Sequence, residues 1–364
     1  MPAPNGEIIW APAMGWADLE SLADRGFSIA SYARTSQKRT CSAYYQYNTG
    51  IAICAHCGTM PLMSTPATQA PSAPPQSEIR NAVEQMLHGQ RQAARAAEAL
   101  SPQIAGAVSA AVPRLKRGGR IILVGAGTSG RIAVQDGVEL APTYGWPMDR
   151  LVFLLAGGSN ALVESAEAAE DDEALAIREL AESAVTPEDV VIGVAASGRT
   201  PYTCTAIEHA RVKGALTIGI ANQVNTPLLS LAEIALCADT GLEFISGSTR
   251  MKAGTAQKII LNTLSTGIMI GLGRTHDGLM THMSVSNEKL HRRAVDIISR
   301  ITGTSPEFSR DKLHEAGNDL PVAILMAAGC EQDEARRLLN EADDSVTMAM
   351  AAFRHSSGEI CDGA

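Results

Sequence analysis

The sequence predicts an α/β fold in which helices cover both faces of a parallel sheet. Two observations predict it. Short, nearly continuous apolar runs alternate along the chain with helical segments, and the first of these runs ends in a glycine turn. Strands that are buried on both faces show such uninterrupted hydrophobic runs, whereas strands with one solvated face alternate apolar and polar residues. The 364 residues allow about two domains.

The predicted elements follow in a regular order. Five apolar runs are predicted as strands, at residues 120–126, 151–156, 189–196, 215–221 and 233–238. Helical segments separate them, near residues 130–140, 161–184, 201–213 and 226–231. Apolar residues at helical spacing predict further helices on either side of the sheet, over residues 78–113, about 251–273 and about 284–302. Such alternation is typical of a parallel sheet with crossover helices.

The two ends of the chain differ from this regular middle. Half of the aromatic residues lie within the first 47 residues, and residues 64–77 are rich in Pro, Ser and Ala, as in a linker. We weigh two explanations for residues 1–77. In the first, they are a poorly ordered extension with its linker. In the second, translation starts near Met60 or Met63, and the residues before that start are not native sequence.

The C-terminal part is predicted to be a small separate module. After a main domain at 78–302, residues 303–354 show helical spacing, with helices expected at 306–316, 320–328 and 331–340. Residues 355–364 are expected to form a tail.

Charge and composition exclude several classes of partner. The formal net charge is −9, so no overall positive field attracts nucleic acid. No run of about 18 apolar residues occurs, so no membrane-spanning helix is expected.

The seven Cys are odd in number and scattered, which predicts a reducing compartment and a cytoplasmic location. Cys54 and Cys57 have metal-ligand spacing, but no second pair accompanies them, so no metal is expected.

Two similar glycine loops follow two of the predicted strands. GAGTSGR (125–131) and VAASGRT (194–200) both place Ser-Gly-Arg directly after a buried strand. Because open α/β sheets bind ligands at the carboxyl ends of their strands, we expect both loops to line one crevice. A glycine turn that opens a helix presents free backbone N–H groups and the positive end of the helix dipole, which suit a phosphate.

A third loop, SGSTRMKAGTAQK (246–258), also combines hydroxyl residues with glycines and opens a helix. Helix capping alone could explain one such loop, but three in one domain favour phosphate binding. Dinucleotide binding is disfavoured because the second strand ends in Ala-Gly-Gly-Ser-Asn, without a carboxylate for a ribose. A hydrolase with Ser197 as nucleophile is disfavoured because the sequence around it lacks G-x-S-x-G.

Six motifs occur in an order that resembles one enzyme family: GAGTSGR, ESAEAAEDD (164–172), AASGRTPY (195–202), GSTRMKAGTAQK (247–258), LNTLSTG (261–267) and SNEKL (286–290). Together they resemble the N-acetylmuramic acid 6-phosphate etherases, bacterial enzymes of murein sugar recycling that are built on the sugar isomerase (SIS) fold. The resemblance covers about residues 78–345. This chain departs from the family pattern after Glu139, where it has Leu-Ala-Pro and the family commonly has Cys-Pro-Pro, and the family's usual N-terminal segment is not visible in residues 1–77.

The resemblance implies a fold and a reaction. Residues 78–302 would form a three-layer SIS sandwich that binds sugar phosphate, and residues 303–354 a UBA-like module. The reaction cleaves the lactyl ether at carbon 3 of the sugar by elimination and then water addition, and it needs no cofactor. Carried over by motif, Glu139 would be the acid and Glu170 the base that also activates water.

We predict that the sugar phosphate is bound by residues of the three loops, namely Gly127, Thr128, Ser129, Arg131, Ser197, Gly198, Arg199, Thr200, Ser246, Ser248, Thr249 and Lys252. Glu139 lies ten residues after Ser129, so a straight helix would separate them by about 15 Å. We therefore expect a homodimer with the site near the subunit interface. No nucleic acid or membrane partner is expected.

Two other functions stay open. The chain could be an aldose–ketose isomerase of sugar phosphates, which also needs a base beside a carbonyl, or a regulator that binds sugar phosphates without turnover. GSTRMKAGTAQK and the pair Glu139 and Glu170 argue against the isomerase, and the retained pair argues for catalysis.

Overall fold

The computed structural model describes residues 76–164 and 166–356, together with three short strands near the N-terminus. These strands, β1 to β3, pair antiparallel in the order β1-β2-β3 and span Ile29–Ala30, Tyr44–Gln46 and Ala52–Cys54. Strands of two or three residues are too short to produce a hydrophobic period in the sequence. The rest of the predicted extension, the linker up to residue 75 and residues 357–364 of the predicted tail lie outside the described residues.

The main body begins with two helices and continues as alternating strands and helices. The helices α1 and α2 span Gln76–Glu98 and Ser101–Lys116. The following elements are β4 (Ile121–Gly125), α3 (Gly127–Val138), α4 (Leu140–Tyr144), β5 (Leu151–Leu155), α5 (Glu173–Glu182), β6 (Val190–Val194), α6 (Pro201–Val212), β7 (Leu216–Ala221), α7 (Pro227–Leu231), β8 (Ile234–Cys237) and α8 (Lys252–Gly271).

The five strands β4 to β8 form one parallel sheet in the order β5-β4-β6-β7-β8. Ile121 of β4 lies opposite Leu151 of β5 on one side and opposite Val190 of β6 on the other. The order of connection reverses between β4 and β6, because the chain first moves outward to β5 and then returns. In open α/β sheets a crevice forms at such a switch point, beyond the carboxyl ends of the strands.

Helices cover both faces of the sheet, as the sequence predicted. Ile121 and Leu123 pack in a core with α2, α3 and α8, whereas Ile122 and Val124 pack on the other side with α5, α6 and α7. Both sets are buried, which explains why the strands show continuous apolar runs. The result is a three-layer sandwich.

The C-terminal part begins with a small hairpin and continues as five helices. The hairpin strands β9 and β10 are Thr275–His276 and Leu279–Met280, and the helices α9 to α13 span Glu288–Thr302, Pro306–Glu315, Leu320–Ala327, Gln332–Glu341 and Val346–Ser356. These helices share a core of their own, centred on residues such as Ile298, Leu325 and Leu339. Helix α13 was not predicted, although Val346, Ala349 and Met350 have helical spacing and are buried.

Two predicted helices have different bounds in the structure. The helix expected over 78–113 is broken at Leu100, because Pro102 at the start of α2 favours a new helix there. The helix expected over 161–184 is two 3₁₀ turns, Ser159–Leu162 and Glu167–Asp171, followed by α5. Asp172 starts α5 anew, because its carboxylate accepts the Leu175 N–H at 2.8 Å. In the described part of the chain, no helix is both long enough and apolar enough to cross a bilayer.

A buried ion pair joins the starts of β4 and β6. The Asp189 side chain is 1% exposed and accepts hydrogen bonds from the Arg120 backbone N–H at 2.8 Å, the Arg120 guanidinium at 2.7 Å and the Thr186 N–H at 2.9 Å. Burial by itself would raise the pKa of the Asp189 carboxyl, but the hydrogen bonds from Arg120 and Thr186 outweigh it and hold that pKa below its usual value. The pair therefore helps to fix how β4 and β6 meet.

We expect Asp189→Asn to lower the free energy of unfolding by about 2–3 kcal/mol, because it removes the charge opposite Arg120. Since the folded-state pKa of Asp189 is depressed, this contribution is complete above the unfolded-state pKa of about 3.9 and is lost as the pH falls through the folded value. Urea unfolding at several pH values measures it. A difference between variant and unaltered protein that stays constant far below pH ~4 would contradict this assignment.

Candidate active site

The loop GAGTSGR joins β4 to α3 and brings the helix unusually close to the sheet. A Cβ atom added at Gly130 would overlap the Leu155 side chain and lie 2.8 Å from the Gly125 carbonyl oxygen. Glycine is therefore required at position 130 by packing. Gly127, the first residue of α3, has a φ of +50° and no neighbour near its missing side chain, so its glycine serves the backbone conformation.

The first turn of α3 carries the backbone N–H groups that the sequence predicts to bind an anion, and this role stays a prediction. In the part of the chain that the structure describes, no protein acceptor binds the backbone N–H groups of Thr128 and Ser129. Ser129 is 8% exposed, whereas Thr128 is half-buried. Free amides at a helix N-terminus carry the positive end of the dipole and suit a phosphate.

The second loop, between β6 and α6, has a similarly tight turn. Gly198 has a φ of +62°, and a Cβ there would overlap the Thr226 hydroxyl. The Ser197 hydroxyl accepts the Arg199 N–H at 3.2 Å, so Ser197 closes the turn while its own O–H remains a donor. Thr200 precedes α6 without capping it through its side chain.

These two loops lie side by side at the switch point of the sheet. β4 and β6 are neighbours, and a Cβ at Gly125 would lie 3.1 Å from the Val194 carbonyl oxygen, where the two strands end. The helices α3 and α6 therefore both begin at the same crevice. This is the arrangement expected from the repeated Ser-Gly-Arg.

The third loop was predicted to help bind phosphate where it opens α8, but the N–H groups at the start of this helix already bind a carboxylate of the same chain. The Glu243 carboxylate already accepts the first N–H groups of α8, from Lys252 at 3.1 Å and from Ala253 at 3.0 Å. The chain thus provides its own anion at this helix end. Ser246 and Thr249 are exposed and Ser248 is half-buried, and all three precede the first turn of α8.

The first turn of α8 nevertheless reaches the first loop. A Cβ at Gly254 would lie 3.8 Å from the Thr128 methyl carbon and 3.2 Å from Ile132. The third loop therefore adjoins the crevice from the side of α3.

Two of the predicted substrate-binding side chains are engaged within the protein. Arg131 donates to the carbonyl oxygens of Ala161 at 2.8 Å and Glu164 at 2.9 Å, so its guanidinium braces the segment after β5. Lys252 is 8% exposed, and its ammonium donates to the Thr240 carbonyl oxygen at 2.7 Å. Arg199, by contrast, is exposed, and its one long contact is with the Asn225 carbonyl oxygen at 3.5 Å.

The two predicted catalytic carboxylates belong to different segments of the chain. Glu170 is exposed in the 3₁₀ turn that follows β5, and this segment packs on Gly157, where a Cβ would lie 2.6 Å from the Ala166 Cβ. The same turn packs against α6, the helix that follows the second loop. Glu139 is exposed at the far end of α3, about 15 Å from Ser129 along the helix axis.

Sequence reasoning missed a buried carboxylate between α3 and α8. Asp136 is 3% exposed and is bound by the Asn262 amide and, at 3.5 Å, by the Lys258 ammonium. Burial raises the pKa of Asp136, and hydrogen bonds from Ser265, Lys258 and Asn262 offset this only in part. A signal existed: Asp136 lies seven residues after Ser129, on the same buried face of α3.

Across residues 76–164 and 166–356, no cluster of three or more His, Cys, Asp and Glu side chains is arranged to hold a metal ion.

The close approach at Gly130 yields a test with a matched control. Gly130→Ala should lower the free energy of unfolding by about 1–3 kcal/mol, because the added methyl group forces α3 away from β4 and β5. Gly106→Ala, in the exposed middle of α2 with no neighbour within 4 Å, should instead raise it by about 0.5–1 kcal/mol. Chemical denaturation of both variants measures this. Equal effects of the two substitutions would show that α3 does not need the contact.

Comparison with known proteins agrees with this fold. Residues 165–266 match the SIS domain family, and residues 103–211 match the glucokinase regulatory protein N-terminal SIS domain. A phosphoheptose isomerase from Francisella tularensis aligns in structure with 19% identity and a TM-score of 0.39, over 53% of this chain and 97% of that one.

Two curated relatives are much more similar. The N-acetylmuramic acid 6-phosphate etherase of Deinococcus radiodurans is 47% identical over 64% of this chain and 77% of its own length. N-acetylmuramic acid 6-phosphate etherase 1 of Enterococcus faecalis is 44% identical over 71% of this chain and 86% of its own length. This SIS-fold chain belongs to the N-acetylmuramic acid 6-phosphate etherase family.

Proposed function

We propose that this chain cleaves the D-lactyl ether of N-acetylmuramic acid 6-phosphate with water, giving N-acetylglucosamine 6-phosphate and D-lactate. The reaction would serve murein sugar recycling in the cytoplasm. The observation that carries the proposal is the pair of helix N-termini, of α3 and α6, that open side by side at the switch point of a chain of this family. Such a site suits a sugar that carries a phosphate at one end.

The phosphate would be bound by the first two loops. Thr128 and Ser129 supply backbone N–H groups, and the hydroxyls of Ser129, Ser197 and Thr200 add donors without a competing charge. Gly127 and Gly198 allow the two turns, and Arg199 lies at the rim. Because Glu243 occupies the start of α8, the hydroxyls of the third loop are assigned to the sugar.

The chemistry would be an elimination followed by an addition, which makes the enzyme a carbon–oxygen lyase in its first half. With the sugar ring open, the proton on carbon 2 is acidic because it lies next to the aldehyde. Glu170 removes this proton, the carbon 3–oxygen bond breaks, and Glu139 protonates the departing lactate. Water then adds to carbon 3 of the unsaturated aldehyde, carbon 2 regains the proton that Glu170 had removed, and the proton that the water loses restores Glu139 to its acid form. Both carboxylates thus return to their starting states, so no cofactor enters the balance.

A second chain would complete the site. Glu139 is exposed and lies far from Ser129 within one chain, whereas acid–base catalysis needs both groups at the same substrate. Helix α1 also exposes an apolar stripe at helical spacing, Ile79, Val83 and Leu87, which fits a second copy of this chain. We therefore place Glu139 of one protomer at the site of its partner.

The direct test is to incubate the protein with N-acetylmuramic acid 6-phosphate and assay D-lactate. Release of lactate, with little turnover of the sugar that lacks the phosphate, is the expected result. Binding without lactate release would instead favour a sugar-phosphate regulator, the alternative that the match to the glucokinase regulatory protein domain supports. Conversion to a ketose phosphate would favour an isomerase.

Substitution of each carboxylate separates their roles. Glu170→Gln should lower lactate release by about 10²–10⁴-fold and abolish exchange of the carbon 2 proton with deuterium from the solvent, because the base is lost. Glu139→Gln should lower lactate release but retain exchange, because removal of the proton does not require lactate to leave. Mass spectrometry of the recovered sugar measures the exchange. The opposite pattern would reverse the two roles.

Mixing the two inactive variants tests whether the site spans two chains. If Glu139 acts across the interface, a dimer of one Glu139→Gln chain and one Glu170→Gln chain has one complete site. Random reassociation should then restore about a quarter of the activity, since half of the dimers are mixed and each has one site. Lactate release after joint unfolding and refolding measures it, with each variant refolded alone as the control. No recovery would place both carboxylates in the same chain.

A further inference from the structure

The ammonium group of Lys252 is buried without a counter-charge. Lys252 is 8% exposed, and the acceptor of its Nζ is an uncharged one, the Thr240 carbonyl oxygen at 2.7 Å. None of the carboxylates in the described residues forms an ion pair with it. A buried charge is costly unless an opposite charge and further hydrogen bonds compensate it, and an ammonium has three donors. A bound anion would therefore supply the opposite charge that the Lys252 ammonium lacks among the described residues.

A small cavity of about 230 Å³ lies beside this side chain, between α1 and the start of α8. It is lined on one side by residues of α1 that include Gly89 and Gln90, and on the other by Glu243, Phe244, Met251 and Lys252. The Glu243 carboxylate accepts the backbone N–H groups of Lys252 and Ala253 and forms no ion pair with the Lys252 ammonium. Gly89 permits this packing, because a Cβ there would lie 3.0 Å from the Lys252 Cδ. The cavity has room for a small organic group.

The cavity adjoins the phosphate-binding crevice. Lys252 is the first residue of α8, and Gly254, two residues on, contacts Thr128 of the first loop. A substrate whose phosphate lies at α3 and α6 would therefore extend towards Lys252.

The substrate of the proposed function carries two anions, and the structure offers two different positive sites. The free N–H groups of α3 and α6 suit the doubly charged phosphate. The N–H groups of α8 are occupied by Glu243, so this helix end does not take a second phosphate. The ammonium of Lys252 remains for a single negative charge.

We infer that Lys252 binds the carboxylate of the lactyl group, which lies in the cavity between α1 and the start of α8. This inference rests on the proposed function. It makes Lys252 the residue that distinguishes the substrate from its sugar product, because N-acetylglucosamine 6-phosphate has the phosphate but lacks the carboxylate. It also gives departing lactate a cation that holds it until release.

The test compares ligands with and without the lactyl carboxylate. Lys252→Met should raise the KM for N-acetylmuramic acid 6-phosphate by about tenfold or more, because a charge-assisted hydrogen bond is lost. The inhibition constant of N-acetylglucosamine 6-phosphate should stay within about twofold, since its phosphate contacts are untouched. Inhibition by added D-lactate should disappear. Lys213→Met, at the exposed end of α6, is the control and should change none of these values.

A substrate analogue in which a carboxamide replaces the lactyl carboxylate tests whether Lys252 recognises the negative charge. The unaltered protein should bind it about tenfold or more weakly than the natural substrate, whereas Lys252→Met should bind the two alike. Lys252→Gln also removes the positive charge and serves as a second variant in case Lys252→Met does not fold. A variant that keeps its affinity for N-acetylglucosamine 6-phosphate is taken as folded.

Three results would overturn the inference. Equal weakening of substrate and sugar product would place Lys252 at the phosphate or the shared sugar, and no change in either would show that it does not touch the substrate. A preference for carboxylate over carboxamide that survives in the folded neutral variant would assign the carboxylate to another group. Lactate release by the unaltered chain tests the proposed function separately; if there is none, calorimetry with the same ligands and variants still decides the role of Lys252.

Discussion

The close approach of α3 to the sheet is the constraint on which the site depends. Because position 130 has no side chain, the helix begins almost in contact with the Gly125 carbonyl and with Leu155. Its free N–H groups therefore open directly above the carboxyl ends of β4 and β6. The same helix carries the buried Asp136 and ends at Glu139, so its placement sets both the proposed phosphate site and the position of one carboxylate. A shift of α3 would move all three.

The three loops look alike in sequence but differ in what they leave free. The first two end in helix termini with uncommitted amides, while the third has its amides filled by Glu243. Arg131 and Lys252 differ in a similar way. The contacts of Arg131 are structural, whereas Lys252 is proposed to bind a ligand. Arg131 donates to two backbone carbonyls and braces the segment directly after β5, whereas Lys252 has a single neutral acceptor. Within the described residues, the three loops thus combine tight turns with a buried cation, Lys252, that has no ion-pair partner.

The sequence was most informative where the signal is local. Continuous apolar runs located all five strands of the sheet to within two residues, and the repeated Ser-Gly-Arg placed two loops in one crevice. What it did not supply depends on contacts between distant positions. The Glu243 cap acts from nine residues upstream across an irregular loop, and the partners of Arg131 lie some thirty residues away. The acidic run at 164–173 suggested one helix, and only the cap at Asp172 shows where it truly begins.

The Glu243 cap also affects how the protein treats free phosphate. A carboxylate tethered a few residues from the amides it binds is present there at a high effective concentration, which dissolved anions cannot match at ordinary levels. The start of α8 is thereby closed to inorganic phosphate and to other small oxyanions of the surrounding solution. Discrimination between a sugar phosphate and bare phosphate is then left to the crevice, where a bound sugar can add contacts that a free ion cannot make.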